Sequence, residues 1–188
     1  MALKAQITCG TPSPVNHSFV QPPVNTASSL QQHYSLPIHF YIITNQGALP
    51  LGFNIQTLRR QLAFANSNAA FGGANMSFYV SEMELVESPT YFNDGGNLIG
   101  LYNLIHDNDA INVYIANTVI VFGEVVGGVA LLPVLENPIN NTLAIDGSEG
   151  NETLLAHELG HHFNLLHTFE NTFISSLSSQ NCITQGDK

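Results

Sequence analysis

Four histidines and one glutamate fall within eleven residues, from His157 to His167, in the stretch HELGHHFNLLH. On an α-helix residues four apart share a face, so His157 and His161 point the same way and can grip one zinc ion. Glu158, next in sequence to the first histidine, can reach a water on that ion. It can take the water's proton during attack on a peptide carbonyl, while the metal lowers the water's pKa and polarises the carbonyl. This is the mechanics of the H-E-x-x-H pattern. A His-Glu-His face buried without a metal would be costly, which sets this reading above a chance run on a core helix. His162 faces about 100° away from His161 on a helix and reads as a solvated or packing residue outside the site.

The third ligand separates one class of zinc hydrolase from another. An acidic ligand well downstream would have to be Glu170, which follows the motif too closely, or Asp187, near the end of the chain. His167 stands ten residues after His157. A continuous helix would carry it away from the metal, so the chain must turn sharply between His161 and His167 if His167 is to bind.

Elements to hold such a site can be read along the chain. LPIHFYIIT (36–44) alternates Ile38, Phe40 and Ile42 as strand faces do. Ile55, Leu58, Leu62, Ala65 and Ala69 recur at intervals of three and four, which predicts an amphipathic helix with Asn54 as N-cap and Gly72-Gly73 as its stop. Strands are expected at 76–86, 111–117, 127–135 and 142–146, with Pro133 and Pro138 placing the fourth of the five at a sheet edge. The expected class is therefore α/β (α+β): a mixed twisted sheet of about five strands, one backing helix and one active-site helix.

Residues 10–37 hold five prolines among many Ser, Thr and Asn and read as an extended leader, with folded structure from about residue 36. At 188 residues with 44% apolar content, the chain suffices for one packed domain. Four Lys plus Arg against fourteen Asp plus Glu give a net charge of −10, which argues against nucleic acid and anionic membranes as partners. No apolar run approaches a membrane span, so no membrane insertion is expected. No signal peptide is visible in MALKAQITCG. Cys9 and Cys182 are compatible with one disulfide or with separate roles.

The stretch TLLAHELGHHFNLLHTFE (153–170) resembles the active-site helix of the pappalysin family of metzincin proteases, T-L-x-H-E-x-G-H-x-x-G-L-x-H-T-F. The resemblance implies a zinc-dependent endopeptidase with His157, His161 and His167 as metal ligands, Glu158 as general base, one catalytic Zn2+ and a protein or peptide substrate. Asn164 stands where the family has the glycine of the turn; asparagine is the non-glycine residue most tolerant of left-handed backbone. By the same resemblance Gly128, Val129, Ala130, Leu131 and Leu132 would form the edge strand along which an extended substrate pairs. Cys9-Gly10-Thr11 resembles the C-G-T motif of bacterial pappalysin-like propeptides, whose cysteine sulfur blocks the zinc. That would make Cys9 a latency switch and residues 1–35 a propeptide remnant. Residues 36–188 would then be the N-terminal part of a metzincin catalytic domain. No methionine follows His167 to supply the family's Met-turn, and NCITQGDK resembles the segment that leads into the lower subdomain. That subdomain, most of the family's Ca2+ sites and a cysteine partner for Cys182 would lie outside this chain. The resemblance also implies secretion. Two rivals stay open: a metallopeptidase of another class with an acidic third ligand, and a zinc-binding module without activity, although Glu158 is a residue that a purely structural zinc site does not need.

Overall fold

The computed structural model describes residues 32–132, 141–165 and 167; Cys9, Pro133, Pro138, Glu170, Cys182 and Asp187 lie outside the described residues. The fold is built around strand β1 (Tyr34–Thr44), which pairs in parallel with β2 (Met76–Glu87) on one side and β3 (Ile111–Ala116) on the other. After β3 comes a separate antiparallel hairpin of β4 (Val119–Val121) and β5 (Glu124–Val126). Strands β6 (Gly128–Ala130) and β7 (Thr142–Asp146) complete a five-stranded sheet of order β2-β1-β3-β7-β6. Strand β7 runs parallel to β3 and β6 runs antiparallel to β7, so the sheet is mixed.

Parallel strands must be covered on both faces, and the sequence of β3, INVYIA, is buried at all six positions. Its odd positions Ile111, Val113 and Ile115 join Ile38, Phe40 and Ile42 of β1 on one face. There they meet Leu58 and Ala65 of helix α1 (Ile55–Ala65) and Leu154, Leu155 and Leu159 of the helix that carries the histidines. On the opposite face Tyr41, Ile43 and Tyr114 pack against Phe92 of helix α2 (Pro89–Phe92) and Leu98 and Leu101 of helix α3 (Leu98–Leu104). The β4–β5 hairpin completes that side with Val119 and Val126. Helices of four and seven residues are too short to show a helical period, which is why the sequence predicts only the backing helix and the active-site helix.

Asn54 caps α1 as expected, its side chain accepting from Gln56 N at 2.8 Å. The other end corrects the sequence reading. α1 stops at Ala65 rather than running on towards Gly72. Asn66 ends it by using its amide like a neighbouring strand: Nδ2 donates to Phe78 O at 2.9 Å, and Oδ1 accepts from Phe78 N at 2.7 Å. Gly72 and Gly73 then lie in a separate 3-10 turn (Phe71–Ala74), where a Cβ on Gly72 would run into the Asn66 and Ser67 carbonyls. The leader boundary shifts as well, because β1 begins at Tyr34 and takes in Pro37. Pairing with β3 begins only at Ile38, so the missing N–H of Pro37 costs no ladder bond on that side. The strand expected at 127–135 is confined to Gly128–Ala130 among the described residues, and it does border the sheet.

Asn66→Ala removes both hydrogen bonds that lock α1 to β2 and takes these partners from the N–H and C=O of the buried Phe78. It should lower stability by about 1–3 kcal/mol. In urea this would register as a lower midpoint at unchanged slope.

Candidate metal centre

Helix α4 (Leu154–His162) carries the first part of the motif. Its three leucines, Leu154, Leu155 and Leu159, are completely buried against the sheet, which fixes the helix's rotation about its axis. The entry to α4 is tied down by α1. Gln61, 2% exposed, donates through Nε2 to the Asn151 carbonyl at 2.9 Å, and Asn151 Oδ1 in turn accepts from Thr153 N at 2.8 Å. With that rotation set, His157 and His161 share a face, and their Nε2 atoms stand 3.1 Å apart.

The helix ends in a left-handed turn. Asn164 has φ +64°, Leu165 N donates to Gly160 O at 2.9 Å, and Asn164 N donates to His161 O at 2.8 Å. These two bonds are the Schellman pattern, with Asn164 at the position glycine usually holds. The reversal brings His167 back to the helix, its Nε2 lying 3.0 Å from that of His161 and 3.4 Å from that of His157. The turn required for a third histidine ligand is therefore present, and asparagine makes it.

The donor set fits a metal ion. Three nitrogens bound at about 2.0–2.1 Å in a tetrahedral arrangement stand about 3.3 Å from one another, which matches the 3.0–3.4 Å separations here. Tautomer and charge agree. The Leu165 carbonyl lies 2.8 Å from His161 Nδ1 and accepts its proton's hydrogen bond, leaving the Nε2 lone pair directed at the other two rings. Burial, followed by the nearby His161 and His167, pushes the pKa of His157 down to about 4, so its imidazole is neutral over the whole physiological range. Among the described residues His157, His161 and His167 form a group able to hold a metal ion. His162 is not in it; its ring packs edge-on against Phe163 with centroids 4.9 Å apart.

Glu158, 0% exposed, lies in the wall between α4 and β6. A Cβ on Gly128 would come within 2.8 Å of Glu158 Oε1 and 2.9 Å of its Cγ, so glycine at the start of β6 is what leaves room for this carboxyl. From the sequence, Gly128 reads only as part of the edge strand. The space it leaves for Glu158 depends on two segments thirty residues apart in the chain and has no sequence signal. Gly128, Val129 and Ala130 are buried in β6, and Leu131 and Leu132 follow it, half-buried. Compared with known families and characterised proteins, the chain matches no family model and no curated protein.

The Asn164 turn is directly testable. Asn164→Gly should keep or raise stability, by up to about 1 kcal/mol, whereas Asn164→Val forces a β-branched residue into left-handed backbone at a cost of roughly 1–3 kcal/mol. Melting curves of the metal-free variants would order them Gly, Asn, Val from most to least stable. Acid should also act through His157. Its folded pKa is depressed, so the unfolded chain binds the proton first, and stability present above the ordinary histidine value near 6.5 is lost as pH falls towards 4. NMR titration of the metal-free protein should find the His157 imidazole titrating well below the ordinary histidine value.

Proposed function

We propose that this chain is a zinc-dependent endopeptidase of the pappalysin-like metzincin type. The observation that carries the reading is the convergence of His157, His161 and His167 Nε2 to within 3.0–3.4 Å of one another, on the helix that also bears Glu158. His167 fills the third position, which weighs against the rival class with an acidic third ligand. Zinc suits a set of three imidazole ligands. When bound, it would act as a Lewis acid towards a water and towards the scissile carbonyl.

The chain's own residues then divide the work. His157 and His161 hold their positions through the buried leucine face of α4, and His167 through the Asn164 turn. The Leu165 carbonyl holds the His161 ring by its Nδ1–H and so keeps the ligating nitrogen aimed. Glu158 accepts a proton from the attacking water and delivers it to the departing amide nitrogen, returning to its ionised form after each cycle. Its burial beside Gly128 restricts its rotamers and limits competing contacts with bulk water. An extended peptide bound along Gly128–Leu132 would present its carbonyl close to that carboxyl. As part of this proposal, residues 1–35 are a propeptide remnant with Cys9 as the blocking thiolate, and the protein acts outside the cell.

Glu158→Gln tests the assignment. The amide keeps the size of the side chain but cannot take a proton, so hydrolysis of a denatured protein substrate should fall by about 10²–10⁴-fold with zinc content unchanged. Cleavage by this variant at the wild-type rate would sink the reading. His167→Ala should instead lose most of the bound zinc, as measured by elemental analysis; full retention would show that this histidine is not a ligand.

A further inference from the structure

A second group of metal-ligating side chains lies at the opposite side of the sheet, where β1 meets the edge strand β2. His39 of β1 and Glu82 and Glu84 of β2 each offer a ligand atom within 4.8 Å of the others. His39 is 5% exposed. Its Nδ1 faces Asp107 Oδ2 at 3.4 Å and the Tyr41 hydroxyl at 3.2 Å. Its Nε2 is buried, and no hydrogen bond reaches it from the described residues. A buried ring nitrogen without a partner is uncommon and calls for an explanation, an ion among them.

The strand pairing is adjusted to assemble this group. Up to Ile38 the register is regular, with Ile38 opposite Val80. A bulge then passes over Ser81, so that Glu82 pairs with His39 and Glu84 with Tyr41. Ser81 is held in the bulge by its Oγ, which donates to Ile38 O at 3.0 Å. Paired residues of parallel strands share a face, and side chains alternate along a strand. Without the bulge, Ser81 and Met83 would stand opposite His39 and Tyr41 in the register, and the two glutamates would fall on the other face. Bulges commonly serve to re-aim a side chain in this way. Charge points in the same direction. Glu82, Glu84 and Asp107 gather around one imidazole, while the basic residues among those described, Arg59 and Arg60, both lie on α1.

We propose that His39, Glu82 and Glu84 form a second metal site, which takes a divalent first-row transition cation and clips the edge strand β2 to β1. One imidazole with two carboxylates suits Zn2+, Fe2+ or Mn2+; calcium and magnesium prefer sites made of oxygen alone. Asp107 accepts from Nδ1–H, which leaves the Nε2 lone pair for the metal in the common carboxylate–histidine–metal relay. Bonds of about 2.0–2.2 Å bring ligand atoms to within ~4.2 Å. The exposed Glu82 and half-buried Glu84 can make that contraction by changing rotamer.

The test is zinc stoichiometry of the full chain after dialysis against buffered Zn2+, for wild type, Glu82→Gln/Glu84→Gln and His157→Ala. The double glutamine variant preserves side-chain size at both positions, and its circular dichroism checks that it folds. Two zinc ions in the wild type and one in the double variant support the site. One ion in the wild type and none in the double variant also support it, and would count against the three-histidine centre instead. Equal zinc in the wild type and the double variant overturns the proposal, whatever His157→Ala shows. A higher melting temperature with Zn2+ in His157→Ala, abolished when Glu82→Gln/Glu84→Gln is added, is the second expected result; no zinc-dependent shift in His157→Ala would also overturn it.

Discussion

A histidine six residues beyond another cannot meet it at a common point on a straight α-helix, so everything about the candidate centre depends on the reversal at Asn164. The two bonds that close this turn, Leu165 N to Gly160 O and Asn164 N to His161 O, close on carbonyls of the last turn of the helix. The same turn places the Leu165 carbonyl where it fixes the tautomer of His161. One backbone event thus ends the helix, returns the third imidazole and aims the second.

That turn is useful only because α4 cannot rotate. Leu154, Leu155 and Leu159 seat it on the sheet, and Gln61 of α1 reaches across to hold the loop from which it starts. Glu158 is then forced into the seam with β6, and Gly128 gives it room. A carboxyl with no exposed surface tolerates little displacement, because any larger residue at 128 meets it directly. The border strand and the base are in this sense one packing problem.

The sheet distributes polar chemistry to two of its edges. At the β6 edge lies the carboxyl of the helix that bears the histidines; at the β2 edge, a bulge brings Glu82 opposite a buried histidine and Glu84 opposite Tyr41. The central strand β3 is buried throughout, its polar exception being Asn112, whose amide braces the Asp107–Ala110 loop through bonds of 2.7 and 2.9 Å. Each candidate site borders one of the sheet's two outer strands, β6 or β2.

Much of this was legible before any fold was known. The spacing of His157, Glu158 and His161 already placed three groups on one helix. The alternation in 36–44 and the apolar runs at 111–117 and 142–146 marked the buried strands, and Asn54 marked a helix start. These signals are local, carried by residues within a turn or two of one another. The remaining features depend on contacts between distant segments. The end of α1 at Asn66 is chosen by hydrogen bonds to Phe78 that no periodicity records, and the second covered face is built from helices too short to have a period. The role of Gly128 exists only against Glu158, and the pairing of His39 with Glu82 only after a bulge has shifted the register. Local propensity selects elements; which side chains finally meet is fixed when the sheet and helices pack, because packing alone brings together residues far apart in the chain.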